Sequence, residues 1–161
     1  MPNDALAITL VLDEEIFFRV VADDQQLFAI DGSGNLRLSG SVFNDRLREP
    51  SIDRAAMLQG GAEAARKSAS DGVVCLIACE VRAVKTVVTL DQKQKPVHHH
   101  DVDVVHDPVE GNAAHAVVRT APALVSDTAF RRLKEALCLL ASSRGWAHLP
   151  ASVRPQSAAA N

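Results

Sequence analysis

Five of the six histidines of the chain lie between His98 and His115, in the segment HHHDVDVVHDPVEGNAAH. Imidazole is the commonest metal ligand and a frequent general base, so the cluster suggests a metal or catalytic site. If residues 98–106 are extended, His98 and His106 lie about 26 Å apart. One zinc ion cannot bind both, because zinc–nitrogen bonds measure about 2 Å. The segment therefore predicts at least two histidine groups.

Each group has a metal interpretation and a structural one. His98 and His100 would share one strand face as a His-x-His pair. His106 and His115 flank the turn DPVEGN, so they could meet across a hairpin beside Asp107. Two histidines and a carboxylate can form a zinc site with an open position. Neither Cys-x2-Cys nor His-Glu-x2-His is present, which favours a solvated loop and a structural histidine pair over the metal site at His106 and His115.

The run VVCLIACEVRAV is almost continuously apolar until Glu80, which predicts a central strand. Cys75 and Cys79 would then lie about 13 Å apart on one face, too far for a shared metal. Together with Cys138 they form an odd set in apolar surroundings, which indicates reduced, buried thiols. Glu80 and Arg82 would share a strand face and form an ion pair at the strand end.

The densest polar stretch of the chain is LSGSVFNDRLREPSIDRA, which holds Ser39 and Ser41. A loop between two rigid elements is a common place for function. Turn and capping chemistry nevertheless explains Asn44, Asp45 and Ser51 without a ligand. The earlier GSGN sequence separates two short apolar runs, so it predicts a hairpin turn instead of a nucleotide-binding loop.

The length and composition of the chain are those expected of one soluble domain. The chain has 161 residues, of which 47% are hydrophobic and 23% charged, enough to bury a core. A net charge of −3 gives no electrostatic indication of nucleic-acid binding. The first residues lack a basic leader region, and no apolar run approaches a membrane span. We expect a cytoplasmic protein with a domain over residues 1–149 and a flexible tail over residues 150–161.

Periodicity predicts an α+β fold. Strands are expected at ALAITLVL, IFFRVV, DVDVV and AHAVVRT, although IFFRVV could also lie in a helix capped by Asp13. In SDTAFRRLKEALCLLASSRG one helical face carries Phe130, Leu133, Leu137, Leu140 and Ala141. Ser126 is the expected N-cap, and Gly145 is expected at the end. A shorter helix is expected after Ser51. The predicted architecture is a single domain in which a mostly antiparallel sheet packs against these two helices.

Three pieces of the chain, FFRVV, LSGSVFNDRLREPSIDRA and VVHDPVEGNAAHAVV, carry a resemblance. They are similar to a loose group of small bacterial proteins without assigned function. The shared order is S-x-F at Ser41–Phe43, S-[VI]-D-R at Ser51–Arg54, D-P at Asp107, and N-x-A-H-A at Asn112–Ala116. The likeness would span about residues 17–140, and it implies no particular activity.

FFRVV and the serines after it also resemble the arginine and serine strands of RES-type and ADP-ribosyltransferase-like folds, which use NAD. This resemblance implies that Arg19 holds phosphate and that Ser41 lines the nicotinamide pocket. Glu80 is the candidate for the acidic catalytic residue.

Three functions follow as expectations. The leading one is a non-enzymatic interaction or accessory module of a bacterial multi-protein system, which needs a protein partner and no cofactor. The second is an NAD-using, ADP-ribosyltransferase-like enzyme working through Arg19, Ser41 and Glu80. The third is a small metal-binding protein using His106 and His115, with zinc as the candidate metal. The sequence specifies neither the partner nor the oligomeric state.

Overall fold

Residues 8–155 are described by a computed structural model. Most of its strands are short and joined by turns. The strands are β1 (Ile16–Val21), β2 (Phe28–Ile30), β3 (Leu36–Leu38), β4 (Ser51–Arg54), β5 (Gly72–Ile77), β6 (Val88–Leu90), β7 (Pro96–His99), β8 (Asp101–His106), β9 (His115–Ala121) and β10 (Trp146–His148). The helices are α1 (Ala78–Arg82) and α2 (Asp127–Arg144).

Six of the strands form one sheet in the order β10-β5-β1-β4-β9-β8, and every neighbouring pair is antiparallel. The remaining strands form two separate hairpins, β2–β3 and β6–β7. The GSGN turn joins β2 to β3, as its composition predicts. The predicted α+β class, the antiparallel sheet and the long C-terminal helix are confirmed.

The core lies between one face of this sheet and α2. Phe17, Leu76 and Val118 face it from the sheet, and Leu133 and Leu137 face it from the helix; all are fully buried. Both ends of α2 are formed as the sequence predicts. The Ser126 Oγ accepts a hydrogen bond of 3.1 Å from the Ala129 N–H, and the N–H of Gly145 donates to the Ser142 carbonyl.

The helix predicted after Ser51 is wrong. Residues Ser51–Arg54 form strand β4, which is followed by 3-10 turns at Ala55–Met57 and Gly61–Ala65. Side chains alternate along this strand, with Ile52 and Arg54 buried. Because β1 and β9 pair on either side of the segment, the tertiary hydrogen bonds outweigh its local helical and capping signals.

The single strand predicted over VVCLIACEVRAV is also wrong in its second half. Strand β5 ends at Ile77, and the chain continues as helix α1, which carries Cys79, Glu80 and Arg82. A continuous apolar run does not distinguish a buried strand from a buried helical turn. Glu80 and Arg82 bond to separate partners, so they form no ion pair with each other.

Two predicted segments, one at each end of the chain, lie only partly within the described residues. The strand predicted at ALAITLVL begins outside it, and residues 8–12 form no strand. Of the predicted flexible tail, residues 150–155 pack on the domain, where the Ser152 N–H donates to Asp23 (2.9 Å) and the Ala151 N–H to the Ser70 carbonyl (2.9 Å). Residues 156–161 lie outside the described part. Within residues 8–155 no helix is long and apolar enough to cross a bilayer.

Candidate functional site

The outward side of α2 carries an unusually exposed leucine. Leu139 has 73% of its surface exposed, although the opposite side of the same helix is fully buried. Two depressions flank it. One, of about 680 Å³, lies between α2 and the segment after α1, and its apolar lining includes Val84, Ala136 and Leu140. Leu139 projects from this wall, so it is available for contact with another molecule.

The second depression has a volume of about 470 Å³ and lies between α2 and the β2–β3 hairpin. Leu36 and Leu38 line it from the hairpin, and Cys138 lines it from the helix. Leu139 borders both depressions, so it forms a ridge between two apolar grooves. We call these grooves and the ridge the Leu139 surface.

The charge next to the first groove is mostly positive and incompletely paired. Arg132 lines the groove and makes no ion pair with any residue of the described range, and its buried Nε has no hydrogen-bond partner there. Lys85 donates only a long bond of 3.4 Å, to the Arg82 carbonyl. The one acid on this wall, Glu135, lies 3.8 Å from Arg131. A carboxylate that entered the groove would therefore lie near two cationic side chains, Arg132 and Lys85, that form no ion pair within residues 8–155.

A polar pocket of about 290 Å³, separate from these two grooves, lies on the face of the sheet that does not pack against α2. Strands β1 and β4 pair only at Phe17↔Arg54 and Phe18↔Asp53, and the pocket opens where they separate beyond these pairs. Ser51, Asp53, Lys67, Asn112 and His115 are among its lining residues. We call it the Ser51 pocket.

Hydrogen bonds join the walls of the Ser51 pocket. The His115 Nε2 lies 3.2 Å from the Ser51 Oγ, and its Nδ1 lies 2.6 Å from the Asp107 carbonyl oxygen. The Asn112 Nδ2 donates to Asp53 at 2.7 Å. Three of the four short motifs that carry the resemblance, SIDR, DP and NAAHA, therefore meet in one place, although 64 residues separate Ser51 from His115.

The structure does not bring His106 and His115 together as metal ligands. His106 pairs with Ala116 across β8 and β9, so His106 and His115 extend from opposite faces of the sheet. Burial and the nearby Arg54 lower the pKa of the His106 imidazole, whose Nδ1 is buried without a partner among the described residues. Within residues 8–155 no group of three histidine, cysteine or acidic side chains is arranged to hold a metal ion.

The His-x-His pair is divided between surface and core. His98 is exposed on β7, whereas His100 follows that strand and is buried. The His100 ring lies 2.7 Å from the Thr89 hydroxyl through Nε2 and 2.6 Å from the Pro122 carbonyl through Nδ1. Both ring nitrogens are used, so His100 holds the β6–β7 hairpin to the chain after β9.

The three residues of the NAD-enzyme hypothesis lie in separate environments. Arg19 lines the Ser51 pocket, but its guanidinium bonds to Asp45 (2.7 Å) and to the carbonyls of Ser51 and Val42. Ser41 is exposed in the 3-10 turn Gly40–Phe43. Glu80 is bound to Arg144 at 2.6 Å. Only Arg19 of the three lines the Ser51 pocket.

Sequence reasoning did not identify two of the important residues. It predicted a helical cap at Ser51, and it gave no role to Leu139. The available signal for Leu139 was its position outside the apolar stripe of α2, between the buried Leu137 and Ala141. The pairing of Ser51 with His115 had no local signal, because it depends on the register of β4 against β9.

Comparisons with known proteins give no relative: no family model, no curated protein and no solved structure matches the chain. The resemblances carried by its short sequence pieces stay predictions.

Proposed function

We propose that this chain is an interaction module, an accessory subunit of a bacterial multi-protein system, and that it binds an acidic amphipathic segment of a partner protein on the Leu139 surface. The observation that carries the proposal is the exposed Leu139 ridge between two apolar grooves. The proposed setting is the cytoplasm, in keeping with Cys75, Cys79 and Cys138, which are all free thiols.

The apolar part of the proposal follows from exposure. A leucine that is 73% exposed beside grooves of about 680 and 470 Å³ leaves considerable apolar area in water. Covering one such side chain is worth about 1.5–3 kcal/mol. Exposed apolar area beside concave walls is typical of binding surfaces, whereas a leucine exposed alone on a flat surface needs no explanation.

The acidic part follows from Arg132. Its guanidinium lines the first groove, and its buried Nε is unpartnered among the described residues. An aspartate or glutamate of the partner would place a carboxylate beside the Arg132 guanidinium, and Lys85 lines the same groove. Hydrogen bonds of this charged kind contribute about 1.5–3 kcal/mol each. An amphipathic helix with leucines on one face and acids beside them presents both features at helical spacing.

Peptide display tests this proposal. Random peptides displayed on phage are selected on the immobilised chain, and the enriched peptides are synthesised and measured by fluorescence anisotropy. We expect apolar residues three or four positions apart, flanked by Asp or Glu. Leu139→Glu and Arg132→Glu should each weaken binding about tenfold or more.

Leu47→Glu is the matched control, because Leu47 is 88% exposed and does not line either groove. Its affinity for the selected peptides should be unchanged. Binding that tolerates Leu139→Glu, or peptides without acidic residues, would overturn the proposal. The proposal would also be overturned if sedimentation showed a concentration-dependent dimer that is absent in Leu139→Glu. The surface would then bind a second copy of this chain.

A further inference from the structure

We infer that the Ser51 pocket is a catalytic site, in which Ser51 is a nucleophile and His115 its general base, and that it hydrolyses small carboxylic esters. This activity is independent of the Leu139 surface, because the two lie on opposite sides of the sheet. The Leu139 surface is formed by α2, which packs on the core face, whereas His115 extends from the other face.

The hydrogen bonds of the His115 ring determine its tautomer. Nδ1 lies 2.6 Å from the backbone carbonyl oxygen of Asp107, an atom that only accepts, so Nδ1 carries the hydrogen. The neutral ring then has its lone pair on Nε2. That nitrogen lies 3.2 Å from the Ser51 Oγ, which donates to it. A serine, a histidine base and a group that orients the base are the arrangement that activates a hydroxyl.

Asp107 contributes charge as well as orientation. Its Oδ2 lies 3.7 Å from the His115 Nδ1, so a carboxylate lies beside the ring nitrogen that does not contact Ser51. The backbone holds the two residues together, because the Asp107 N–H donates to the His115 carbonyl at 3.0 Å. The base is therefore fixed by strand pairing and by its ring hydrogen bond together.

The pocket accommodates a small substrate. A volume of about 290 Å³ suits an acyl group of a few carbon atoms and its leaving group. Lys67 lines the same pocket and is exposed, so the wall of the pocket carries a positive charge. Phe18 and Val20 provide an apolar wall for the acyl chain.

The reaction balances with water as the only co-reactant. The Ser51 Oγ forms a bond to the ester carbon, and its proton moves to the His115 Nε2. The bond from that carbon to the leaving oxygen breaks, and the proton on Nε2 passes to this oxygen to release the alcohol. Water then loses a proton to Nε2 and attacks the acyl carbon. Ser51 leaves with that proton, and a carboxylic acid is released.

Two reagents test the inference on the full chain, namely p-nitrophenyl acetate and a fluorophosphonate probe. We expect a burst of p-nitrophenol and one stable phosphonyl adduct, which peptide mass spectrometry places on Ser51. Ser51→Ala should remove both signals. His115→Gln should slow them about 100-fold or more, as expected for loss of a general base. Ser33→Ala is the control, since Ser33 is an exposed serine outside the pocket, and it should react as the wild type does.

The adduct is mapped on the wild-type protein, so this test of Ser51 as the nucleophile does not depend on whether a variant folds. An adduct on another residue, or no adduct and no burst, would overturn the inference. Equal rates for folded Ser51→Ala and wild type, with folding checked by thermal unfolding, would overturn it too. Leu139→Glu should retain the full reaction, which separates this inference from the proposed binding function.

Discussion

Arg54 and Glu15 form a buried ion pair that attaches the start of the described chain to the sheet. The Arg54 Nε and one terminal nitrogen donate to the Glu15 carboxylate at 2.9 and 2.6 Å, and the two side chains are only 6% and 14% exposed. The same guanidinium also donates to the carbonyls of Ile8 and Leu10. One arginine of β4 therefore holds the segment before β1 in place.

Removal of Glu15 should be severely destabilising. Glu15→Ala leaves the Arg54 charge buried with carbonyl partners alone, and breaking a buried pair in this way costs about 3–5 kcal/mol. Urea unfolding followed by circular dichroism measures the change. The adjacent Glu14 is exposed, so Glu14→Ala should alter the free energy of unfolding by less than about 0.5 kcal/mol. Similar losses for the two variants would contradict the role of the pair.

Gly72 should not tolerate a methyl group. A Cβ built at Gly72 would lie 2.5 Å from the Trp146 ring and 2.9 Å from the Pro150 ring, both of which pack on its backbone. Gly72→Ala should cost about 1–3 kcal/mol through overpacking. It should also shift the fluorescence of Trp146, the single tryptophan of the chain.

Gly32→Ala is the matched control for Gly72→Ala, because a Cβ at Gly32 meets nothing within 4 Å and its φ is not positive. The control should leave both stability and fluorescence unchanged. If Gly72→Ala were as stable as wild type with an unaltered emission spectrum, the close packing of Trp146 would be refuted.

The ion pair between Glu80 and Arg144 should stabilise the folded protein at neutral pH and should lose this contribution in acid. The hydrogen bond from Arg144 lowers the pKa of the Glu80 carboxyl below its ordinary value of 4.5. A carboxyl whose pKa is lower in the folded state stabilises the protein above its unfolded-state pKa, and this contribution is lost as the pH falls through the folded pKa. Each side chain is about one-third exposed, so the contribution is at most about 1 kcal/mol.

Glu80→Gln tests this pair. At about pH 7 the variant should be less stable than wild type by up to about 1 kcal/mol, and the two unfolding curves should converge as the pH falls below 4.5. Added salt should narrow the difference at neutral pH. A difference that persisted undiminished in acid would show that Glu80 acts through packing and not through its charge.

The three thiols should react at different rates. Burial raises the pKa of Cys138 to about 11 and also raises the pKa of Cys75, whereas Cys79 is exposed on α1. Because the thiolate is the reactive form, iodoacetamide at about pH 8 should modify Cys79 first and Cys138 only on unfolding. Time-resolved peptide mass spectrometry measures the order. Alkylation of Cys138 at the rate of Cys79 in the native protein would contradict its burial.

Much of the local structure could be predicted because it depends on short-range patterns. The period of 3.6 in α2, its Ser126 cap and Gly145 end, and the turn between β2 and β3 all follow from neighbouring residues. The wrong predictions of secondary structure came from sequence patterns that are compatible with both a strand and a helix. The apolar run through β5 and α1 fits a strand or a helix equally well, and only the bonds of the Ala78 and Cys79 amides to the carbonyls of Glu15 and Asp13 decide between them.

The sequence by itself determined the class of fold, because burial periodicity and capping are local properties of the chain. The tertiary structure alone decided the sites. The strand register sends His106 and His115 to opposite faces, brings Ser51 beside His115, and makes a strand of a segment with helical signals. The packing of α2 leaves Leu139 outside the core. The strand pairings join residues far apart in the chain, so no local pattern encodes them, whereas the position of Leu139 outside the apolar stripe of α2 is a local feature of the helix.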